Sequence, residues 1–505
     1  MRVSSCKSSQ SGSLNCGQEF AQTSLSLAVF YACLWGIFID GSEGLSSQRG
    51  NPFSAIKGAS CGGWLGTNGG TVYGGGYFAV AQLAQAKRAV NTLKFWFNRY
   101  LGGVACAQLA MGIHAVIYPW LVVGVLQESP SRLGSALMAV FLPNLLFTLV
   151  GGAMAESRHG GRWLAQLYAL YLLPLALLVG VLFVDNLNYP LLLCYGLLYG
   201  TITAFVQPAR EALLGYVPSV GVHRAVARTG VVQSALQGCG FVLAGYFEFI
   251  GLTTLLLFQA VLITASALLF GRSLTGEQPS QQEVSAPFNL WRTLNRARME
   301  ILEGWQRTQQ DRVLLDTILV VLATGVLVFG IYLVGLPLLA DHYAPGSAEL
   351  FGYFQLTFTG GMFAANVLLA RLHSTALRAG RMLVSGLYMR GFLLLGLALQ
   401  PPLWIVFPLI FFWGSSSGFS MTQGRTLIHQ FAPSAVRSRV VSIYQLCLFG
   451  GAPIGAWFSG QMIEQLSLHT ALVFYGFISL LVALPFIFAS PLWRLARGSQ
   501  PADRD

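Results

Sequence analysis

The sequence predicts an all-α integral membrane protein of twelve transmembrane helices in two pseudo-symmetric six-helix halves. Three observations predict it: an apolar composition, a series of apolar runs of spanning length, and a one-sided distribution of arginine. Of 505 residues, 54% are hydrophobic and only 10% are charged, with 57 Gly and 34 Phe. Mean hydropathy is +0.60. So little polar surface does not cover globular domains in water, which excludes a soluble class.

The runs fall at 101–123, 134–153, 163–184, 189–209, 225–249 and 252–271, then at 313–339, 350–370, 382–399, 402–423, 440–462 and 468–490. Each is long enough to cross a hydrocarbon core of ~30 Å as a helix. They are spans 1 to 12. The organisation that follows is an N-terminal half over 87–271, a linker rich in Gln, Ser, Arg and Glu over 272–312, a C-terminal half over 313–490 and a tail over 491–505.

With the segment before span 1 taken as cytoplasmic, basic residues such as Lys87, Arg99, Arg158, Arg228, Arg292, Arg378 and Arg494 fall on one side, and only Arg132 falls on the other. The opposite segments hold Glu128, Asp185, Glu248, Asp341, Glu349 and Glu464. This asymmetry puts both ends of the core in the cytoplasm. The net charge of +11 is therefore topogenic. Its residues are scattered over short loops without a continuous stripe, so the bilayer and not nucleic acid is the expected partner.

Residues 1–86 are rich in Ser, Gly and Cys and read as a low-complexity extension, either disordered or a misassigned translation start. Their one apolar run, Ser24 to Ile39, fits a signal-like segment, a thirteenth span or neither. Cys6, Cys16, Cys33 and Cys61 lie in this extension, and Cys106, Cys194, Cys239 and Cys447 lie inside spans. That placement is not a disulfide framework.

Sliding the second half over the first at an offset of 215 pairs Arg210 with Arg425, Pro218 with Pro433, Ser219 with Ser434, Arg224 with Arg439, Gly240 with Gly455 and Gly245 with Gly460. An even number of spans separates the copies, so this is a parallel repeat, one of the two repeat classes of secondary transporters.

The loop after span 2 reads Gly151-Gly-Ala-Met-Ala-Glu-Ser-Arg-His-Gly-Gly-Arg162. It resembles the loop signature of the major facilitator superfamily, Gly-x-Leu-Ala-Asp-Arg-x-Gly-Arg-Arg, through Gly152, Ala155, Glu156, Gly161 and Arg162. It departs from that signature in Glu156 for Asp, in Ser157 for Arg and in one inserted residue. Residues 205–213, 335–340 and 351–356 look like the enterobactin-exporter and macrolide-exporter branch, and the resemblance runs over about 95–495. It implies that Glu156 latches the inner gate, with Arg162, Arg210, Arg224, Asp316, Arg425 and Arg439 as further gate or loop residues. Gly152 is expected to permit close helix approach. Gly240, Gly245, Gly451, Pro453, Gly455 and Gly460 resemble the exporter antiporter signature, with plain helix packing as the alternative and a kink at Pro453.

Polar groups inside hydrocarbon are functional candidates by default. Gln108, His114, Asn144, Gln233, Gln237, Gln355, Gln423 and Gln445 lie on spans that the resemblance places around a central cavity. His114 either exchanges protons or makes an interhelical hydrogen bond. Arg390 is expected to pair with Asn366 or a backbone carbonyl, and Asp316 with an inner Arg. Phe288, Trp291, Leu294, Ile301 and Trp305 recur at helical spacing among arginines in the linker, which predicts a surface amphipathic helix anchoring the two halves.

No His-Glu-x-x-His, Gly-x-Ser-x-Gly, P-loop or paired intramembrane carboxylate is present, so no catalytic residue, metal or cofactor is expected. The expectation is a monomeric secondary transporter working by alternating access. Its neutral interior suits a bulky amphiphilic small molecule, and the resemblance implies export of the drug or siderophore class by proton antiport at a bacterial inner membrane. A lipid or lysolipid translocator is the alternative, and an intramembrane enzyme is disfavoured.

Overall fold

A computed structural model describes residues 75–157, 160–184, 186–215, 222–271, 290–371, 379–433 and 436–494. Helices stand where each apolar run predicts one. Spans 1 to 6 are Gly75–Trp120 with a π-turn at Leu121–Val125, Pro130–Ser157, Gly161–Leu170 joined to Leu172–Phe183, Tyr189–Gly215, Val222–Gly245 and Leu252–Gly271. A linker helix covers Leu290–Gln310. Span 7 is built from Arg312–Ala323, a π-turn at Thr324–Phe329, and Gly330–Tyr343. Spans 8 to 12 are Ala348–Arg371, Ala379–Ala398, Leu403–Phe431, Arg437–Leu466 and Leu468–Phe488. Among the described residues there is no strand.

Ten of these helices are long and apolar enough to cross a membrane, and spans 5 and 8 fall below that threshold. The two pack on each other, so they turn less surface to lipid and carry Gln233, Gln237 and Gln355. The first described helix begins at Gly75, so residues 75–86 of the low-complexity extension are helical. Ser24 to Ile39 and Phe288 lie outside the described residues.

Local chemistry sets the breaks. Pro174 has no N–H to donate to the carbonyl of Leu170, and span 3 divides at Tyr171 between them. Asp311 caps span 7, its carboxylate accepting from Val313 N at 2.8 Å and Leu314 N at 3.3 Å. Span 11 runs through Pro453 as one continuous helix.

Glycine contacts reveal a two-fold relation between the halves. A methyl group added at Gly460 on span 11 would lie 3.0 Å from Gly134 Cα on span 2, and one at Gly245 on span 5 would lie 3.1 Å from Glu349 Cα on span 8. The 215-residue offset of the repeat carries Gly134 to Glu349 and Gly245 to Gly460. Spans 2 and 11 thus meet as spans 8 and 5 meet, in one shared register. Both contacts lie toward the face that bears the short segments 126–129 and 344–347, and the bundle is closed there. Within the halves, a methyl group added at Gly240 would lie 2.8 Å from Gly112 Cα, while Gly455 packs on Gly330 and Gly451 on Gly325.

One motif residue has a different place from the expected one. Among the described residues nothing lies within 4 Å of a methyl group added at Gly152, so no described helix approaches at the signature glycine. Its neighbour Gly151 is approached, with the carbonyl of Ala204 on span 4 against it and Phe205 Cα at 3.2 Å. The two adjacent substitutions should therefore diverge. Gly151→Ala is expected to lower the thermal midpoint of the detergent-solubilised protein, at a cost of about 1–3 kcal/mol from overpacking. Gly152→Ala is expected to leave it level or raised, because helical Ala is about 1 kcal/mol better than Gly. Equal midpoints for the two variants would contradict the packing.

Candidate functional site

Two ring clusters, one in each half, join facing spans of the bundle. In the C-terminal half, Tyr332 on span 7 stacks on Phe358 of span 8 at 4.2 Å and donates its hydroxyl to Gln355 Oε1. Trp413 of span 10 stands edge-on to both rings, at 6.0 and 5.8 Å. Phe329, one turn before Tyr332, stacks on it at 5.7 Å and meets Phe141 of span 2 edge-on at 6.2 Å across the halves. Gln355 is buried and Tyr332 half-buried.

In the N-terminal half, His114 of span 1 lies flat on Tyr199 of span 4 at 3.6 Å, and its Nδ1 is hydrogen-bonded to the Tyr195 hydroxyl at 3.0 Å. Tyr118 stacks on His114 from one turn away, at 5.5 Å. Tyr171 of span 3 completes the group, 4.8 Å from Tyr199 and hydrogen-bonded to Thr203 Oγ1 at 2.9 Å. The geometry gives His114 the interhelical hydrogen bond that was one of its two readings.

The sequence-derived cavity residues do not form one constellation. Gln355 and His114 enter the ring clusters. Gln108 is buried on span 1, nearly two turns from His114. Asn144 Oδ1 accepts from Thr148 Oγ1 of its own helix at 3.0 Å. Gln423 is buried against span 9, where its Nε2 donates to Met382 Sδ at 3.5 Å, and so it faces away from the other half. Gln233 and Gln237 are half-buried on span 5, and the carbonyl of Gln237 is what Gly112 packs against. Gln445 is exposed beside Arg425, His429 and Tyr444, which line a cleft of about 120 Å³ at the arginine-rich end of spans 10 and 11.

The gate set also separates. Asp316 is buried, pairs with Arg312 of its own helix at 3.4 Å, and accepts from the hydroxyl of Ser490 beyond span 12. Arg439 pairs with Glu303 of the linker helix, so it ties that helix to span 11. Gly304 seats the linker there, packed on Ile443 and Arg439, while Met299, Leu302 and Trp305 are exposed. Gly161 is buried at the start of span 3, Arg162 and Arg425 are exposed, and the carbonyl of Arg210 accepts from Tyr100 at 3.4 Å. The side chains of Glu156 and Arg224 lie outside the described residues. Arg390 bonds the carbonyl of Gly386 as expected, but Asn366 is not its partner, because Asn366 accepts from Thr422 at 2.7 Å.

Polar links across the closed face come from residues that the sequence reading left unassigned. Ser131 N–H, in the first turn of span 2, donates to the Glu464 carboxylate of span 11 at 2.9 Å, where a negative charge also suits the helix N-terminus. Tyr246, beyond span 5, shares a 2.6 Å hydrogen bond with Tyr353 of span 8, which donates to Glu349 at 3.1 Å. Burial, then the carboxylate of Glu349 alongside, holds the Tyr246 phenol above its usual pKa. The rings at one-turn spacing, His114 with Tyr118, Tyr195 with Tyr199 and Phe329 with Tyr332, were the available signal.

Two parallel six-helix halves of membrane-spanning helices are the architecture of one class of secondary transporters. Residues 100–449 match the Major Facilitator Superfamily, and the chain belongs to it. No curated protein matches the sequence. Among solved structures, the nucleoside transporter NupG, as its D323A mutant, is similar with a TM-score of 0.57 at 15% identity, over 78% of this chain and 99% of that one. An auto-inhibited POT family peptide transporter is similar with a TM-score of 0.58 at 15% identity, over 81% and 99%. A POT family transporter in complex with a thioalcohol-conjugated peptide gives 0.59 at 11% identity, over 79% and 95%. At these identities the likeness is one of fold.

The bond between Tyr332 and Gln355 is open to a double-mutant cycle. Tyr332→Phe and Gln355→Leu are each expected to destabilise the protein, and the pair together by less than their sum, with a coupling of about 1 kcal/mol. Thermal unfolding in detergent measures it, and additive effects would remove the bond from the site.

Proposed function

We propose that this chain exports a bulky, amphiphilic, largely uncharged small molecule of the drug or siderophore class by exchange with protons. The observation that carries the reading is the pair of ring clusters with neutral hydrogen-bonding groups at their edges. Rings offer stacking area to a flat or greasy solute, and Gln355, Tyr332 and Tyr195 offer a few oriented hydrogen bonds. Sugars and small anions call for denser polar or cationic linings.

The arginine asymmetry supports a cytoplasmic placement for the arginine-rich face and for both ends of the core, as in a bacterial inner membrane. On that orientation, the contacts of spans 2 with 11 and 5 with 8 close the outer side, and the arrangement is inward-facing. A single chain supplies both halves, which supports a monomer. Residues 313–490 then act as the second moving body, joined to 87–271 by the linker helix. Glu156 is assigned to the inner gate on the loop resemblance, and His114 to proton exchange beside the site.

The test is accumulation of dyes, macrolides and catecholate siderophores in cells lacking their own efflux pumps and expressing the full chain, with and without a protonophore. Protonophore-sensitive reduction of at least one compound is the expected result. His114→Gln is expected to remove that sensitivity while binding persists, and Glu156→Gln to lower flux at any proton gradient. Lack of effect across the panel, from protein shown to be folded in the membrane, would overturn export of this class. Unchanged flux in His114→Gln would remove His114 from coupling.

A further inference from the structure

Arg390 is the largest charged side chain wholly inside the described core, 1% exposed and in the middle of span 9. Its Nε donates to the carbonyl of Gly386 at 2.9 Å, and its Nη2 to Thr324 Oγ1 of span 7 at 3.3 Å and to Ser420 Oγ of span 10 at 3.1 Å. All three acceptors are neutral. Described ion pairs include those of Arg132, Arg312 and Arg439, and the nearest acid along span 7, Asp316, is taken by Arg312 and Ser490. A buried cation without a carboxylate is costly, so its position needs a reason.

Thr324 supplies one, because it is the first residue of the π-turn Thr324–Phe329. The internal repeat shows what that turn contains. On span 1, the atoms that face Gly240 are the carbonyl of Leu109, Gly112 Cα three residues on, and the adjoining Ile113 N. On span 7, the atoms that face the equivalent Gly455 are the carbonyl of Val326 and Gly330 Cα, four residues apart. One extra residue therefore sits in span 7 at the π-turn, and the helix flanks it on both sides. Gly325, next to Thr324, is wedged against the carbonyls of Leu448 and Cys447 on span 11, at 2.6 and 2.8 Å from an added methyl. The turn is held between span 11 on one side and Arg390 with Ser420 on the other.

We propose that Arg390 is a positioning residue for the transport site: a clamp from span 9 that keeps the extra residue of span 7 folded as a π-turn, and so sets the rotation at which Phe329 and Tyr332 reach the other half and Gln355. Each residue turns an α-helix by about 100°. Expelling the extra residue into the downstream helix would swing both rings off Phe141 and Gln355 by that angle. π-turns are rare and cluster at functional sites, since the helix does not keep them without support. The inference goes beyond export and depends on neither the direction of transport nor the substrate.

Hydrogen exchange measured by mass spectrometry on the full chain in lipid nanodiscs tests it. Arg390→Met is expected to speed exchange at least tenfold in peptides covering 320–334, with spans 1 to 6 exchanging as before. Deleting Leu327 from that variant removes the extra residue and is expected to restore slow exchange without the cation. A general loss of packing would not be repaired by that deletion. Unchanged exchange over 320–334 in Arg390→Met, or a rise through both halves that the deletion does not reverse, would overturn the proposal. Should Arg390→Met fail to insert, Thr324→Val with Ser420→Ala keeps the charge and removes both hydroxyl acceptors. Faster exchange confined to 320–334 then supports the clamp, and unchanged exchange overturns it.

Discussion

Backbone approach at glycine is the constraint on which this molecule depends. Lipid tails are as apolar as leucine, so burying leucine against another helix gains little in a bilayer, and association falls to close packing and interhelical hydrogen bonds. Here the two halves touch where Gly460 meets Gly134 and where Gly245 meets Glu349, with backbone against backbone. Because both contacts share one register of the internal repeat, a single two-fold operation generates the closed face. The polar links from Glu464 to Ser131 and from Tyr246 to Tyr353 sit on that same seam. A seam built this way is tight when closed and has few strong bonds to break when it opens, which suits a bundle that must alternate.

Much of the fold was legible in the sequence because hydrocarbon leaves few options. A chain that must satisfy every backbone group inside its own span has to be helical, so the apolar runs placed a helix at each expected span, although spans 5 and 8 fall short on length and hydropathy alone. The offset of 215 was legible through Arg, Pro and Gly matches, and Gly240, Gly245, Gly455 and Gly460 all stand at helix approaches. The π-turn in span 7 left no mark on composition, because an inserted apolar residue looks like any other. It is visible in the backbone of span 7, and the contacts of Gly240 and Gly455 compared across the repeat agree with it.

The candidate site was less legible, for a related reason. Hydropathy identifies Gln423 and Asn144 as unusual, yet a polar group in lipid is satisfied by whatever is nearest, and theirs are Met382 and Thr148. Gln355 differs because a ring hydroxyl from another span reaches it. The motif loop misled in the same way: Gly152 matches the family signature, but Gly151 carries the packing against span 4. Asn366 was the nearest polar partner to imagine for Arg390, and the actual partners, Thr324 and Ser420, are small hydroxyls that hydropathy does not single out. Side-chain direction around a helix decides each of these cases, and it follows from packing between spans, not from the run of residues along one.

The two halves are equivalent in topology and unequal in stiffness. In the N-terminal half, rings run from Tyr118 through His114, Tyr199 and Tyr171 to Tyr168 and Phe270, each in contact with the next. Spans 1, 3, 4 and 6 are thereby joined by large rigid groups with few torsions to lose. The C-terminal half places a π-turn in span 7, and one guanidinium ties its first residue, Thr324, to Gly386 of span 9 and Ser420 of span 10. Large stacked rings resist repacking through shape, whereas the turn in span 7 is held by a few directed hydrogen bonds. Phe329 against Phe141 is the ring contact that joins the two clusters' halves, so the placement of span 7 is felt directly by span 2.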